Sequence, residues 1–171
     1  QYLQGSLVDL NIPGASTNLA SLRKDIVIDE FHILEAKAHG ADVLLLIASI
    51  LDQKEIKDLS TFAKSLDLEV LLEVHDLDEL TKSIMPSLDL IGVNNRNLKN
   101  FQVNLGASKR LAEKIPDEFI KVSGSGISSS ETIIDLKTYG YKGFLVGENF
   151  MKADNPGKSA FEFIKKIENE I

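Results

Sequence analysis

There is no cysteine among the 171 residues. That excludes disulfides and thiolate-ligated metals, and it fits a reducing compartment. An excess of positive charge is also lacking: 19 Lys and Arg stand against 26 Asp and Glu, giving a net charge of -7. With no basic cluster, nucleic acid is not the expected partner, because phosphate backbones select Lys/Arg patches. A net negative chain can still hold a small anion where positive charge is focused locally. No apolar run approaches the ~18 residues of a membrane span. The longest, Val43–Ala48, is far shorter. Gln1–Asp9 has neither the basic region nor the apolar core of a signal peptide. A cytoplasmic location without a membrane partner is therefore expected. Low-complexity linkers are absent too, so one domain over 1–171 is expected. The first residue is Gln1 rather than Met, which predicts that something was removed upstream or that this is part of a longer chain.

What is present alternates. Short β-branched apolar runs occur at Leu19–Leu22, Val43–Ile47, Val70–Val74, Leu90–Val93, Ile120–Val122 and Phe144–Val146. Their starts are 24, 27, 20, 30 and 24 residues apart. Those intervals suit βα units, and continuous apolar runs of this size read as buried parallel strands. Between them, helical spacing puts Ile56, Leu59, Phe62 and Leu66 on one face. It does the same for Leu105, Ser108, Leu111 and Ile115, and for Ala160, Ile164, Ile167 and Ile171. Gly40 and Gly140 stand where helices should stop, and Pro116 closes another. Six parallel units fit either an open doubly wound sheet or part of a barrel. A complete barrel needs eight units and typically ~250 residues. On the barrel reading roughly two βα units are missing, and they belong N-terminal.

Chemistry-bearing residues gather at one place in each unit, the C-terminal end of the strand. Arg23, Lys24 and Asp25 follow the first run, and Glu73, Val74 and His75 end the third. Asn94, Asn95 and Arg96 end the fourth. Ser123-Gly124-Ser125-Gly126 and Gly147-Glu148 end the last two. In a parallel α/β protein these ends share the face where sites form. Lys24 reads either as a surface lysine beside Asp25 or as a cation aimed at the mouth. Glu73 reads as a partly desolvated carboxylate suited to proton transfer, or as a salt-bridge partner of Lys24. Asn94 and Arg96 fit turn chemistry as well as ligand binding, and the planar fork of Arg96 suits a carboxylate. His75 reads as structural or solvent-facing sooner than catalytic; His32 and His39 read as ordinary helix residues. Backbone N–H groups at the glycine turns of Ser125-Gly126 and Gly147-Glu148 suit a phosphate.

Leu22-Arg23-Lys24-Asp25, Gly40-Ala41-Asp42, Leu72-Glu73-Val74-His75, Ile91–Leu98, Ser123–Ile127 and Leu145–Met151 follow one another as in a known family. In this order the chain resembles indole-3-glycerol phosphate synthases from the loop after the second strand, Gln4-Gly5-Ser6 with Asp9-Leu10, to the eighth strand. The resemblance implies a partial (β/α)8 TIM barrel with strands 3 to 8 present and strands 1 and 2 missing. It implies a cofactor- and metal-free lyase of tryptophan biosynthesis. Its small phosphorylated substrate, 1-(2-carboxyphenylamino)-1-deoxyribulose 5-phosphate, becomes indole-3-glycerol phosphate, carbon dioxide and water. Lys24 is implied as the acid or electrostatic catalyst of ring closure, Glu73 as a base, and Asn94 as the group that holds them. Arg96 and Leu98 are implied beside the aromatic ring. Ser125, Gly126, Gly147 and the amide of Glu148 are implied around the phosphate. Three departures stand out. The family's first-strand Lys and Glu and its Ser-Pro-Ser loop are not in this chain. Gly124 stands where the family has Glu between two serines. Ile26 stands where it has Phe. The chain by itself is therefore expected to be inactive, with unpaired strand edges that invite association. The alternatives are a non-catalytic phosphate-binding remnant of the family, or another phosphate-binding barrel such as phosphoribosylanthranilate isomerase.

Overall fold

The computed structural model describes residues 10, 17–97 and 101–170. Leu98 and the Gln4-Gly5-Ser6 segment lie outside the described residues. Among the described residues strands and helices alternate as far as the sixth strand, which two helices follow. The strands are β1 (Leu22–Arg23), β2 (Val43–Ile47), β3 (Glu69–Val74), β4 (Leu90–Asn94), β5 (Ile120–Gly124) and β6 (Gly143–Leu145). The helices are α1 (Glu30–Ala38), α2 (Gln53–Ser65), α3 (Leu77–Ser83), α4 (Gly106–Ala112), α5 (Ser130–Thr138), α6 (Glu148–Met151) and α7 (Pro156–Asn169). The strands form a six-stranded sheet in chain order, and the pairs β1/β2, β2/β3 and β5/β6 are parallel. This is the parallel α/β architecture that the run spacing predicts.

The chain falls into two compact units. The first holds the described residues up to Val74 together with Asp78–Leu90. The second holds His75–Leu77 and the described residues from Ile91 onward.

In the first unit β2 and β3 are buried on both faces. Leu44, Leu45, Leu46, Val70, Leu71, Leu72 and Val74 form the centre of its core. Each such leucine contributes roughly 1.5–3 kcal/mol by leaving water. The register sets Val43 against Glu69 and Ile47 against Glu73. Local signals close the helices. Asp52 and Glu55 form a reciprocal capping box at the start of α2. Asp29 caps α1 through the N–H of His32. Gly40 follows α1 at φ +80°, the left-handed conformation in which a Cβ would be strained.

The first strand is shorter than the run Leu19–Leu22 suggests. Leu19 is 77% exposed. Ser21 gives its N–H to the carboxylate of Asp42 at 2.7 Å, and that side chain replaces a strand neighbour. The run Val43–Ile47 is β2 unchanged; the others differ at their ends: β3 gains Glu69, β4 gains Asn94, β5 gains Ser123 and Gly124, and β6 gains Gly143 and loses Val146.

In the second unit Ser108, Leu111 and Ile115 are buried as their spacing predicts. The face assigned to α7 differs at one position, where Phe163 takes the place of Ile164. Ile164 is 53% exposed, while Ala160, Phe163 and Ile167 are half-buried. Phe163 meets the ring of Phe150 edge-on at 5.4 Å between centroids. An aromatic contact with α6 decides the rotation of α7, which periodicity alone cannot specify. Ile171 lies outside the described residues.

Lys166 of α7 bonds Glu131 of α5 at 2.5 Å. That hydrogen bond holds the Glu131 carboxyl down at about 2. Because the folded value is depressed, the pair is intact above the ordinary carboxylate range and is lost as pH falls toward 2. The side chain carboxyl of Glu131, followed by NMR, is expected to titrate near 2. In Lys166→Ala it is expected to return toward the ordinary value; an unchanged midpoint would show that Lys166 is not the cause.

Candidate functional site

Alternation along β1 separates two neighbouring cations. Arg23 turns toward α1. Its Nη1 donates to the carbonyl of His32 at 2.6 Å, and its Nη2 pairs with Glu35 at 3.3 Å and Asp25 at 3.4 Å. Arg23 aligns with Leu44, and Leu44 and Leu46 align with Val70 and Leu72. These residues therefore share the helix face of the sheet. Lys24 and Glu73 are each offset by one from that set, so they point to the opposite face. There Lys24 Nζ lies 3.4 Å from Glu73 Oε2. The glutamate side chain is only 9% exposed and the lysine 43%. A nearly buried carboxylate with a half-exposed ammonium beside it is an acid–base couple and an ion pair at once. Both sequence readings of the pair, salt bridge and proton-transfer couple, thus describe one geometry. His75 follows β3 and is half-buried.

In the second unit Asn94 ends β4 and is buried. Its Oδ1 accepts the N–H of Arg96 at 3.0 Å, an Asx turn that sends the chain away from the sheet. Arg96 bridges Val103 in antiparallel fashion, and Asn97 donates to the carbonyl of Gln102. Arg96 Nη2 is bonded to the carboxylate of Glu148 at the start of α6. The fork that sequence assigns to a carboxylate thus holds one supplied by the chain. Lys152 holds the other Glu148 oxygen at 2.7 Å. Lys152 first, and then Arg96, keep the Glu148 carboxyl below its ordinary range.

The two glycine turns differ. Ser125 and Gly126 both lie in the left-handed region, at φ 65° and 74°. A Cβ on Gly126 would meet Val103 Cγ1 at 2.0 Å, so the returning loop fits against a bare backbone. Gly147 is not left-handed, at φ -122°, and nothing lies within 4 Å of where its Cβ would be. Space above Gly147 is open to a ligand. Gly124 points away from α4, opposite to Ser123. A Cβ there would find only ordinary contact with Leu145, at 3.4 Å.

The residue that sequence reasoning passed over is Asn95. It is buried at the centre of a polar cluster with Ser108, Ser123 and Tyr141. The only signal was its place between two named candidates. Among the described residues no group of three or more His, Asp or Glu side chains could hold a metal. No helix among them is long and apolar enough to cross a membrane.

Fold and site together define a parallel α/β protein of repeated βα units that carries its polar groups at the C-terminal strand ends. The same fold occurs in 3-hexulose-6-phosphate synthase from Salmonella typhimurium. That structure has a TM-score of 0.77 and 16% identity, covering 95% of this chain and 80% of the other. A mutant tryptophan synthase alpha-subunit from Pyrococcus furiosus has a TM-score of 0.70 and 15% identity, covering 95% and 72%. Identities this low establish fold alone. Sequence goes further. The family model described as indole-3-glycerol phosphate synthase matches residues 1–163. A relative of that name from Bacteroides thetaiotaomicron is 42% identical over 98% of this chain and 64% of its own length. One from Koribacter versatilis is 44% identical over 95% and 63%. The chain belongs to the indole-3-glycerol phosphate synthase family. It spans a little under two thirds of the length of these curated relatives.

The contrast between the glycines is testable. Gly126→Ala is expected to destabilise the fold by more than the roughly 1–2 kcal/mol of a left-handed non-glycine residue, because Val103 must also move. Gly147→Ala is expected to stay within about 0.5 kcal/mol of the parent. Urea unfolding of both variants measures this; equal effects would contradict the assigned backbone geometry.

Proposed function

We propose that this chain carries most of the active site of an indole-3-glycerol phosphate synthase. Its six strands would correspond to strands 3 to 8 of a (β/α)8 barrel, a reading supported by the share of its relatives' length that it spans. The observation that carries the functional reading is the Lys24–Glu73 pair at adjacent strand ends. In the reaction an aromatic carbon of the substrate bonds to the ketose carbonyl carbon, the carbonyl oxygen leaves as water, and the ring carboxyl leaves as carbon dioxide. The Lys24 ammonium stabilises negative charge developing on that oxygen and supplies a proton to it. Glu73 removes the proton whose loss restores aromaticity. Asn94 holds the substrate in place, and Arg96 with Leu98 receives the carboxyl-bearing ring. The phosphate is taken by Ser125, Gly126, Gly147 and the amide of Glu148. The left-handed turn at Ser125-Gly126 and the open space above Gly147 support this. A small phosphorylated substrate and a cytoplasmic location belong to the same reading.

One observation favours a second reading, a phosphate-binding remnant without turnover: Gly124 offers no carboxylate where the family has one. The test joins this chain to the N-terminal third of a curated relative and assays indole-3-glycerol phosphate formation. Turnover is expected from the joined protein and not from the chain alone. Lys24→Ala and Glu73→Gln are each expected to lower kcat by about 10²–10⁴. Full turnover in either variant would overturn that residue's role. A joined protein that is active only after Gly124→Glu would establish the second reading.

A further inference from the structure

The Ser125-Gly126 turn has an unusual support. Two successive residues are left-handed there, and one of them is not glycine. Such a conformation persists only where its surroundings hold it. The group that holds it is Asn95, whose residue is 3% exposed. Its Nδ2 reaches the carbonyl oxygen of Gly124 at 2.9 Å, that of Ser125 at 3.3 Å, and Ser123 Oγ at 3.0 Å. Its Oδ1 accepts from the N–H of Ser108 at 3.2 Å and from Ser108 Oγ at 2.8 Å. The main chain repeats the tie, since the N–H of Asn95 also donates to the carbonyl of Gly124 at 2.9 Å.

Peptide geometry turns this clamp into a direction. In a trans peptide the carbonyl and the following N–H point opposite ways. Drawing the Gly124 carbonyl inward points the Ser125 N–H outward. Drawing the Ser125 carbonyl inward does the same for the Gly126 N–H. We propose that Asn95 is a positioning residue that aims these two amides at the phosphate of the substrate. This rests on the phosphate reading above and adds the residue that sets the site. The far end of the cluster serves a different purpose: Tyr141 donates to the Ser108 carbonyl at 2.7 Å and does not touch the turn.

Inorganic sulfate is the probe, because its charge is constant over the working pH range. It is titrated into the chain at pH 8 while the amides are followed by NMR. In the parent, Ser125 and Gly126 are expected to move first. Asn95→Asp keeps the shape and the acceptor half but sets an oxygen against two carbonyl oxygens. It is expected to weaken sulfate binding at this turn at least tenfold. Asn95→Ala, which adds no charge, carries the same expectation should the aspartate variant not fold. Tyr141→Phe breaks a buried hydrogen bond and is expected to lower Tm without changing the sulfate affinity. Parent-like binding in the Asn95 variants would overturn the proposal while leaving the phosphate reading intact. Losses in Tyr141→Phe equal to those at Asn95 would make the cluster merely structural and overturn it too. A parent whose turn amides ignore sulfate would sink the phosphate reading and the proposal with it.

Discussion

The constraint on which everything else depends is the burial of parallel strands on both faces. In β2 and β3 of the first unit a polar side chain within the strand would lose water without gaining a partner, at a cost of some kcal/mol. The strands there are accordingly runs of Leu and Val. Charge is admitted only toward the strand ends, exposed as at Glu69 or paired as at Glu73. Lys24 and Glu73 occupy such positions, and each lowers the cost of the other's burial. The position of the chemistry thus follows from the energetics of the core.

The second unit meets the same constraint with neutral groups. Hydroxyls and amides replace charges in its interior: Asn95, Ser108, Ser123 and Tyr141 satisfy one another. A network of this kind is rigid because releasing one member leaves others unpaired in a low-dielectric interior. Burial pushes the Tyr141 hydroxyl up to about 12, so it remains a donor at any physiological pH. Rigidity at this point supports the turn above it, which holds a conformation that isolated peptides rarely adopt. On its surface Arg96, Glu148 and Lys152 are joined in a chain of charges. These exposed contacts contribute little to stability, and they leave Arg96 available to exchange one carboxylate for another.

Much of this was legible in the sequence. Run spacing yielded the parallel α/β order, and the glycines at 40 and 140 marked helix ends through their left-handed backbone. Lys24 and Glu73 could be named because a charge that directly ends a buried apolar run must be paired or must face an open mouth. What remained hidden has a common cause, which is that periodicity assigns faces only relative to a partner. Arg23 and Lys24 look equivalent in sequence; only the register with Leu44 tells that the first faces α1. The exchange of Ile164 for Phe163 on the inner face of α7 is of the same kind, since Phe163 meets Phe150. Asn95 was hidden because its partners lie 13 to 30 residues away. An asparagine in a turn is by itself unremarkable. The Arg96–Glu148 pair, 52 residues apart, was equally out of reach.

The most direct measurement is a titration of the chain with indole-3-glycerol phosphate, the product of the proposed reaction, set beside one with inorganic phosphate. Both are followed through backbone amides. With either ligand the amides of Ser125, Gly126 and Gly147 should move first. The product should bind more tightly and should also perturb Arg96, beside which its indole ring is placed. Identical affinities for the two ligands, or responses confined to residues away from the strand ends, would contradict a substrate site at these turns.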